Sequence, residues 1–122
     1  MRILLIDDDV TVTDNLKIFL ERSVHTVESL TWVEGQNMLK EFLDSFRPQG
    51  VILDYGMSPL GTVIYRWVRE WHDGVPIAFY TSYAQSPEYS KQMREAGARS
   101  NQIIEKSEVG LDIAPLLRAL GA

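Results

Sequence analysis

The chain has 122 residues, 45% of them apolar and 24% charged, with a net charge of −5 and no cysteine. That length and balance fit one globular domain with its own core, and the missing cysteines exclude disulfides, thiolate metal sites and thiol nucleophiles. No apolar run nears the roughly 18 residues that span a bilayer, "MRILLIDDD" turns acidic too early for a secretory leader, and no Lys/Arg cluster offers a surface for nucleic acid; a cytoplasmic protein is expected.

The first apolar run, "RILLI", stops at Asp7, Asp8 and Asp9, and behind it Val12, Leu16, Phe19 and Leu20 recur at helical spacing. Asp9 reads as the cap of that helix more than as a ligand. A second strand, "HTVESL", opens with His25 and precedes a helical face of Leu39, Phe42, Leu43 and Phe46. The third run, "GVILD", ends on Asp54 and leads through a loop containing Gly56 to a helix with Ile64, Trp67, Val68 and Trp71 on one side. A carboxylate closing a buried strand is costly to desolvate, so Asp54 needs a partner. His25 and His72 have no second ligand at metal spacing and read as structural, while Trp32, Trp67 and Trp71 read as helix-packing residues.

The fourth run, "PIAFYT", ends in Thr81 and Ser82, and the helix after it is punctuated by Ser86 as N-cap, Pro87 at its first position and Gly97 as its stop. The fifth, "NQIIEK", ends on Lys106. A short last helix follows, capped by Asp112, with Pro115 in its first turn and Leu116, Leu117 and Leu120 on its apolar side.

Five strands joined through helices require parallel pairing and right-handed crossovers, which gives an α/β fold with an open doubly wound sheet and helices on both faces. In such sheets the carboxyl ends of the strands converge on one crevice, where ligands bind. Asp7, Asp8, Asp54, Thr81 and Lys106 all fall there. Clustered carboxylates resist ionisation unless a cation joins them, and hard oxygen ligands suit Mg2+. Lys106 can neutralise a phosphoryl oxygen, Thr81 can donate a hydrogen bond and a carboxylate can act as nucleophile, which together make a phosphoryl-transfer site.

The ordered set "LLIDDD", "VILDYGMSP", "IAFYTSYA" and "AGARSNQIIEKS" resembles the receiver domain of two-component response regulators over essentially the whole chain. The resemblance implies a single receiver domain over residues 1–122, with a flavodoxin-like five-stranded sheet in the order 2-1-3-4-5. It implies that Asp54 is the phospho-acceptor, that Asp8, Asp54 and the Gly56 carbonyl bind Mg2+ directly, and that Asp7 helps through water. Thr81 and Lys106 would contact the phosphoryl group. The implied partners are a histidine kinase or phosphotransfer protein and an unknown output protein or domain, with a phosphorylation-dependent dimer as one outcome. The domain would catalyse only its own phosphorylation and dephosphorylation. Three features depart from the family pattern. Ser58 stands where a proline is usual, with Pro59 one step later; Ser107, which predicts a trans bond, replaces the proline after Lys106; and Ile103 occupies the position of the usual aromatic switch residue, for which Tyr80 and Tyr83 are the candidate substitutes. The stretch from Gly97 to Lys106 is also longer than usual.

Two other readings come from the same residues. A pseudo-receiver would use the fold for protein contacts without phosphorylation. A haloacid-dehalogenase-type phosphatase would use "LLIDDDVT", with Asp7 as nucleophile, Asp9 as acid/base and Thr11 behind them, but would leave Asp54 unexplained. No G-x-G-x-x-G follows the first strand, which sets aside a dinucleotide site.

Overall fold

The fold is that of a computed structural model, which describes residues 1–106 and 112–121. Five βα units run in chain order: β1 (Arg2–Ile6), α1 (Val10–Arg22), β2 (Thr26–Leu30), α2 (Gln36–Phe46), β3 (Gly50–Leu53), α3 (Gly61–Trp71), β4 (Ile77–Thr81), α4 (Pro87–Ala96), β5 (Ile103–Glu105) and α5 (Ala114–Ala119). All strand pairs are parallel, in the order β2-β1-β3-β4-β5. This is the flavodoxin-like arrangement.

Alternate residues of each strand feed two cores, which is why the strands read as continuous apolar runs. Leu4, Ile6, Val51, Leu53, Ile77 and Phe79 face one cluster, completed by Leu39 and Leu43 of α2, Ile64 and Val68 of α3 and Met93 of α4. Ile3, Leu5, Ile52, Ala78 and Tyr80 face the other, against Leu16 and Leu20 of α1 and Leu116 of α5. Phe42, Phe46, Trp67 and Trp71 pack partly buried at the rim of the first cluster.

The helix punctuation follows the sequence closely. Asp9 caps α1 by accepting from the amides of Thr11 and Val12, and Ser86 caps α4 by accepting from Tyr89 N. Gly97 ends α4. His72 closes α3 with its amide on Val68 O, and His25 Nδ1 lies 3.1 Å from the N-terminal amine. His72 Nε2 lies 3.9 Å from Asp44 Oδ1, and neither histidine belongs to a cluster of three or more potential metal ligands among the described residues.

Three expectations need correction. Trp32 is 62% exposed in the β2–α2 connection and packs no helix, because α2 begins only at Gln36 and its buried face is supplied by Leu39 and Leu43. The fifth strand begins at Ile103, since Ser100–Gln102 coil into a 3-10 turn that absorbs the extra length after α4. The N-cap of α5 is Ile113, although the Asp112 carboxylate still accepts from Ala114 N at 3.0 Å. The expected trans bond before Ser107 lies outside the described residues.

Candidate functional site

From β1 the chain crosses to β2 on one side, and β3 pairs on the other, so the order reverses between β1 and β3. Helices leave the two strands on opposite faces there, which opens a crevice at their carboxyl ends. Asp7 and Asp8 follow β1 and Asp54 follows β3. The ladder continues one residue past each strand: Asp7 N donates to Leu30 O at 3.1 Å, Asp54 N to Ile6 O at 2.9 Å and Lys106 N to Thr81 O at 3.1 Å. The sheet itself thus holds the backbone of three site residues.

Asp7, Asp8 and Asp54 each present a carboxylate oxygen within 4.8 Å of the others. Asp7 and Asp54 are buried and Asp8 is exposed. Lys106 Nζ reaches into this group, 2.8 Å from Asp7 Oδ2 and 3.4 Å from Asp54 Oδ2. The remaining oxygens are tied to local backbone, Asp7 Oδ1 accepting from Asp9 N at 2.9 Å and Asp54 Oδ1 from Tyr55 N at 2.8 Å.

Burial pushes the Asp7 carboxyl above its usual pKa; the Lys106 hydrogen bond and the Asp9 amide pull it back, and the charge of Asp54 raises it further. For Lys106, burial works against the ammonium, but the bond to Asp7 and the charges of Asp54 and Asp7 outweigh it and raise its pKa. With all groups ionised, three carboxylates and one ammonium leave the pocket two charges negative. One divalent cation neutralises that remainder, and an all-oxygen donor set with an exposed member suits Mg2+ keeping part of its water shell. The residues therefore fit the metal that the fold family implies.

The other predicted residues surround this centre. Gly56 and Asp8 line one cleft, together with Tyr55, Ser58, Leu60 and Tyr83. Ser82 and Lys106 line a second, along the start of α1. Thr81 is fully buried, and its Oγ1 accepts from Tyr83 N at 3.2 Å. Its hydroxyl proton stays available to a new acceptor. Asp9 is spent on capping α1, which leaves the phosphatase reading without its acid/base.

The β3–α3 loop closes tightly between Asp54 and α3. Tyr55 O accepts from Met57 N at 3.0 Å and Gly61 N at 2.8 Å, around a cis Ser58–Pro59 bond. Gly61 starts α3 where a Cβ would lie 2.0 Å from Asp54 O, so any side chain there would drive α3 off the end of β3. A Cβ on Gly56 would meet Tyr83 Cε2 at 2.6 Å. The ring of Tyr83 thus covers the side of Gly56 that a side chain would fill. Tyr55, Tyr89, Gln92 and Gly61 were not singled out, although the position of Tyr55 directly after Asp54 was a usable signal.

A doubly wound flavodoxin-like sheet with an acidic, lysine-bridged pocket at its switch point defines the class of protein. The sequence matches the response regulator receiver domain over residues 3–113, and the chain belongs to that family, a signalling domain of two-component systems. Solved structures agree in fold. A CheY-like response regulator receiver domain protein from Methanospirillum hungatei superimposes with a TM-score of 0.78 at 23% identity, over 98% of this chain and 90% of that one. Vibrio cholerae chemotaxis protein CheY4 gives 0.75 at 20% identity, over 98% and 95%. A Burkholderia pseudomallei response regulator, solved with a phosphorylated aspartic acid, calcium ion and citrate, gives 0.77 at 18% identity, over 98% and 65%. A search of curated protein sequences returns no match.

Proposed function

We propose that residues 1–122 act as one phospho-accepting receiver, taking a phosphoryl group from the phosphohistidine of a kinase or phosphotransfer protein onto Asp54. A carboxylate oxygen of Asp54 attacks phosphorus, the P–O bond forms as the P–N bond breaks, and the imidazole leaves with the electron pair. Later, water attacks phosphorus, inorganic phosphate departs, a proton passes to solvent and the carboxylate is restored. Lys106, already 3.4 Å from Asp54 Oδ2, neutralises charge on the phosphoryl oxygens, and the Thr81 hydroxyl donates to another. Asp8, Asp54 and the Gly56 carbonyl would hold Mg2+, with Asp7 acting through water; bound there, the ion supplies charge neutralisation for the transferring group.

The observation that carries this reading is the shared contact of Lys106 with Asp7 and Asp54 beside Asp8 at the strand ends. A module used only for contacts would gain nothing from carboxylates crowded against their own desolvation cost. The proposed setting is cytoplasmic, and among the described residues no helix is long and apolar enough to cross a membrane. The domain's catalysis is limited to its own modification. Its product is a changed surface read by an output protein, an output domain or a second phosphorylated copy.

Intact-mass spectrometry after incubation with acetyl phosphate, with and without Mg2+, tests this on the wild type, Asp54→Asn and Asp7→Asn. One added phosphate that needs Mg2+ and vanishes in Asp54→Asn is expected. An adduct lost only in Asp7→Asn would restore the phosphatase reading. No adduct from either acetyl phosphate or a phosphohistidine donor would leave the phosphorylation-independent module.

A further inference from the structure

Three tyrosines close a triangle between the acceptor loop and α4. Their ring centroids lie 5.7 Å apart for Tyr55 and Tyr83, 5.2 Å for Tyr55 and Tyr89 and 5.1 Å for Tyr83 and Tyr89. Both contacts of Tyr83 are edge-on, the arrangement in which one ring's positive edge meets the other's negative face.

Two corners are tied to the site by backbone. Tyr55 N donates to Asp54 Oδ1 at 2.8 Å, and Tyr83 N donates to Thr81 Oγ1 at 3.2 Å. The other end belongs to α4, since Tyr89 sits in its first turn and the Tyr55 hydroxyl donates to Gln92 Oε1. Tyr55 is buried, whereas Tyr83 is 43% exposed. Position 103, on β5, carries an isoleucine packed partly buried on the core, with neither ring nor hydroxyl to answer a moving threonine.

We propose that Tyr83 and Tyr89 are positioning residues that carry the phosphorylation state of Asp54 to helix α4 through their ring contacts, without a responding residue on β5. This rests on the reading of Asp54 as acceptor. The Thr81 oxygen now accepts from Tyr83 N. A phosphoryl group on Asp54 offers the hydroxyl proton an anionic acceptor, and charge-assisted bonds are stronger than neutral ones. Turning Thr81 toward it loosens the 3.2 Å contact, which is already long. The backbone at Tyr83 is then released from Thr81, and the edge contact of its ring with Tyr89 must be remade. Helix α4 packs mainly on α3, so a shift of its first turn leaves the sheet intact.

The test pairs phosphate occupancy with local exchange. Each protein is treated with acetyl phosphate and Mg2+, occupancy is read by intact mass, and hydrogen–deuterium exchange is followed in peptides covering residues 87–96. In the wild type, phosphorylation should change exchange there by roughly threefold or more. Tyr89→Leu should take up as much phosphate but lose that change, while Tyr89→Phe and Ile103→Ala should keep it. Should the leucine variant unfold, Tyr89→Met fills similar space and gives the same reading. An unaltered α4 response in Tyr89→Leu, or its loss in Ile103→Ala, overturns the inference. With the adduct present, either result leaves the acceptor role of Asp54 standing. No adduct on the wild type from either acetyl phosphate or a phosphohistidine donor defeats both together.

Discussion

Lys106 Nζ lies 2.8 Å from Asp7 Oδ2 but 3.4 Å from Asp54 Oδ2, so the lysine leans on the neighbouring carboxylate and stands ready beside the proposed acceptor. Lys106→Ala removes the only positive charge paired with Asp7 and Asp54 among the described residues. Leaving buried carboxylates without a partner should cost roughly 1–3 kcal/mol, read as a lower urea midpoint at pH 7. Phosphorylation by acetyl phosphate should slow by about tenfold or more. An unchanged rate with an unchanged α4 response would remove the assigned role.

Stability should also depend on pH through Asp7. Burial raises its folded pKa above 3.8, so around that pH the folded protein retains a proton that the unfolded chain has released. This contribution is complete below pH 3.8 and is lost as pH rises through the folded value. Thermal unfolding of Asp7→Asn, which cannot titrate there, should therefore gain on the wild type as pH climbs from acid toward neutral. A constant difference across that range would mean that Asp7 carries no such penalty. Lys106 works at the other extreme. Its raised pKa adds stability that is full below pH 10.5 and is lost above it.

Mg2+ should relieve the same repulsion. At a concentration tenfold above its dissociation constant it should stabilise the fold by about 1.4 kcal/mol, seen as a rise in Tm. Asp8→Asn should abolish most of that rise while leaving the metal-free Tm nearly unchanged, because Asp8 is exposed. A full Mg2+ response in Asp8→Asn would place the ion elsewhere.

Tyr83 lies against Gly56 at the mouth of the site, where its ring can screen the acyl phosphate from water. Tyr83→Ala should shorten the phosphoryl lifetime by roughly threefold to tenfold, about 1 kcal/mol of barrier. Gly56→Ala should act in the same direction, since its methyl would meet the ring at 2.6 Å and push it aside. Mass spectrometry after quenching the donor measures both, and unchanged decay in Tyr83→Ala would rule out the screen.

The sheet and the acidic pocket were legible because each depends on local pattern. Five apolar runs mark the strands, four of them closing at Asp7, Asp54, Thr81 and Lys106, and topology then brings Asp7, Asp54 and Lys106 together without knowledge of any side-chain contact. The caps at Asp9 and Ser86 were readable for the same reason. What escaped depends on distance in sequence. Tyr55 and Tyr89 meet only because the β3–α3 loop and α4 lie side by side, and no periodicity reports a ring contact across 34 positions. Trp32 misled because aromatic residues usually pack, and nothing in its neighbours told that the loop would hold it outward. The start of β5 was misplaced because Asn101 and Gln102 adjoin an apolar run and were counted with it.

The ladder bonds that carry Asp7, Asp54 and Lys106 one step beyond their strands have a consequence for what evolution or an engineer can change. The backbone of these three residues is cast as part of the sheet, and the extra residues between α4 and β5 are taken up by Ser100–Gln102, at the opposite end of the strands. Length can be added there without moving a single site atom. The far end of the domain is thus free ground for insertions and fused segments, while a one-residue deletion on the near side of β1, β3 or β5 would shift a charge by a full strand step and silence the domain.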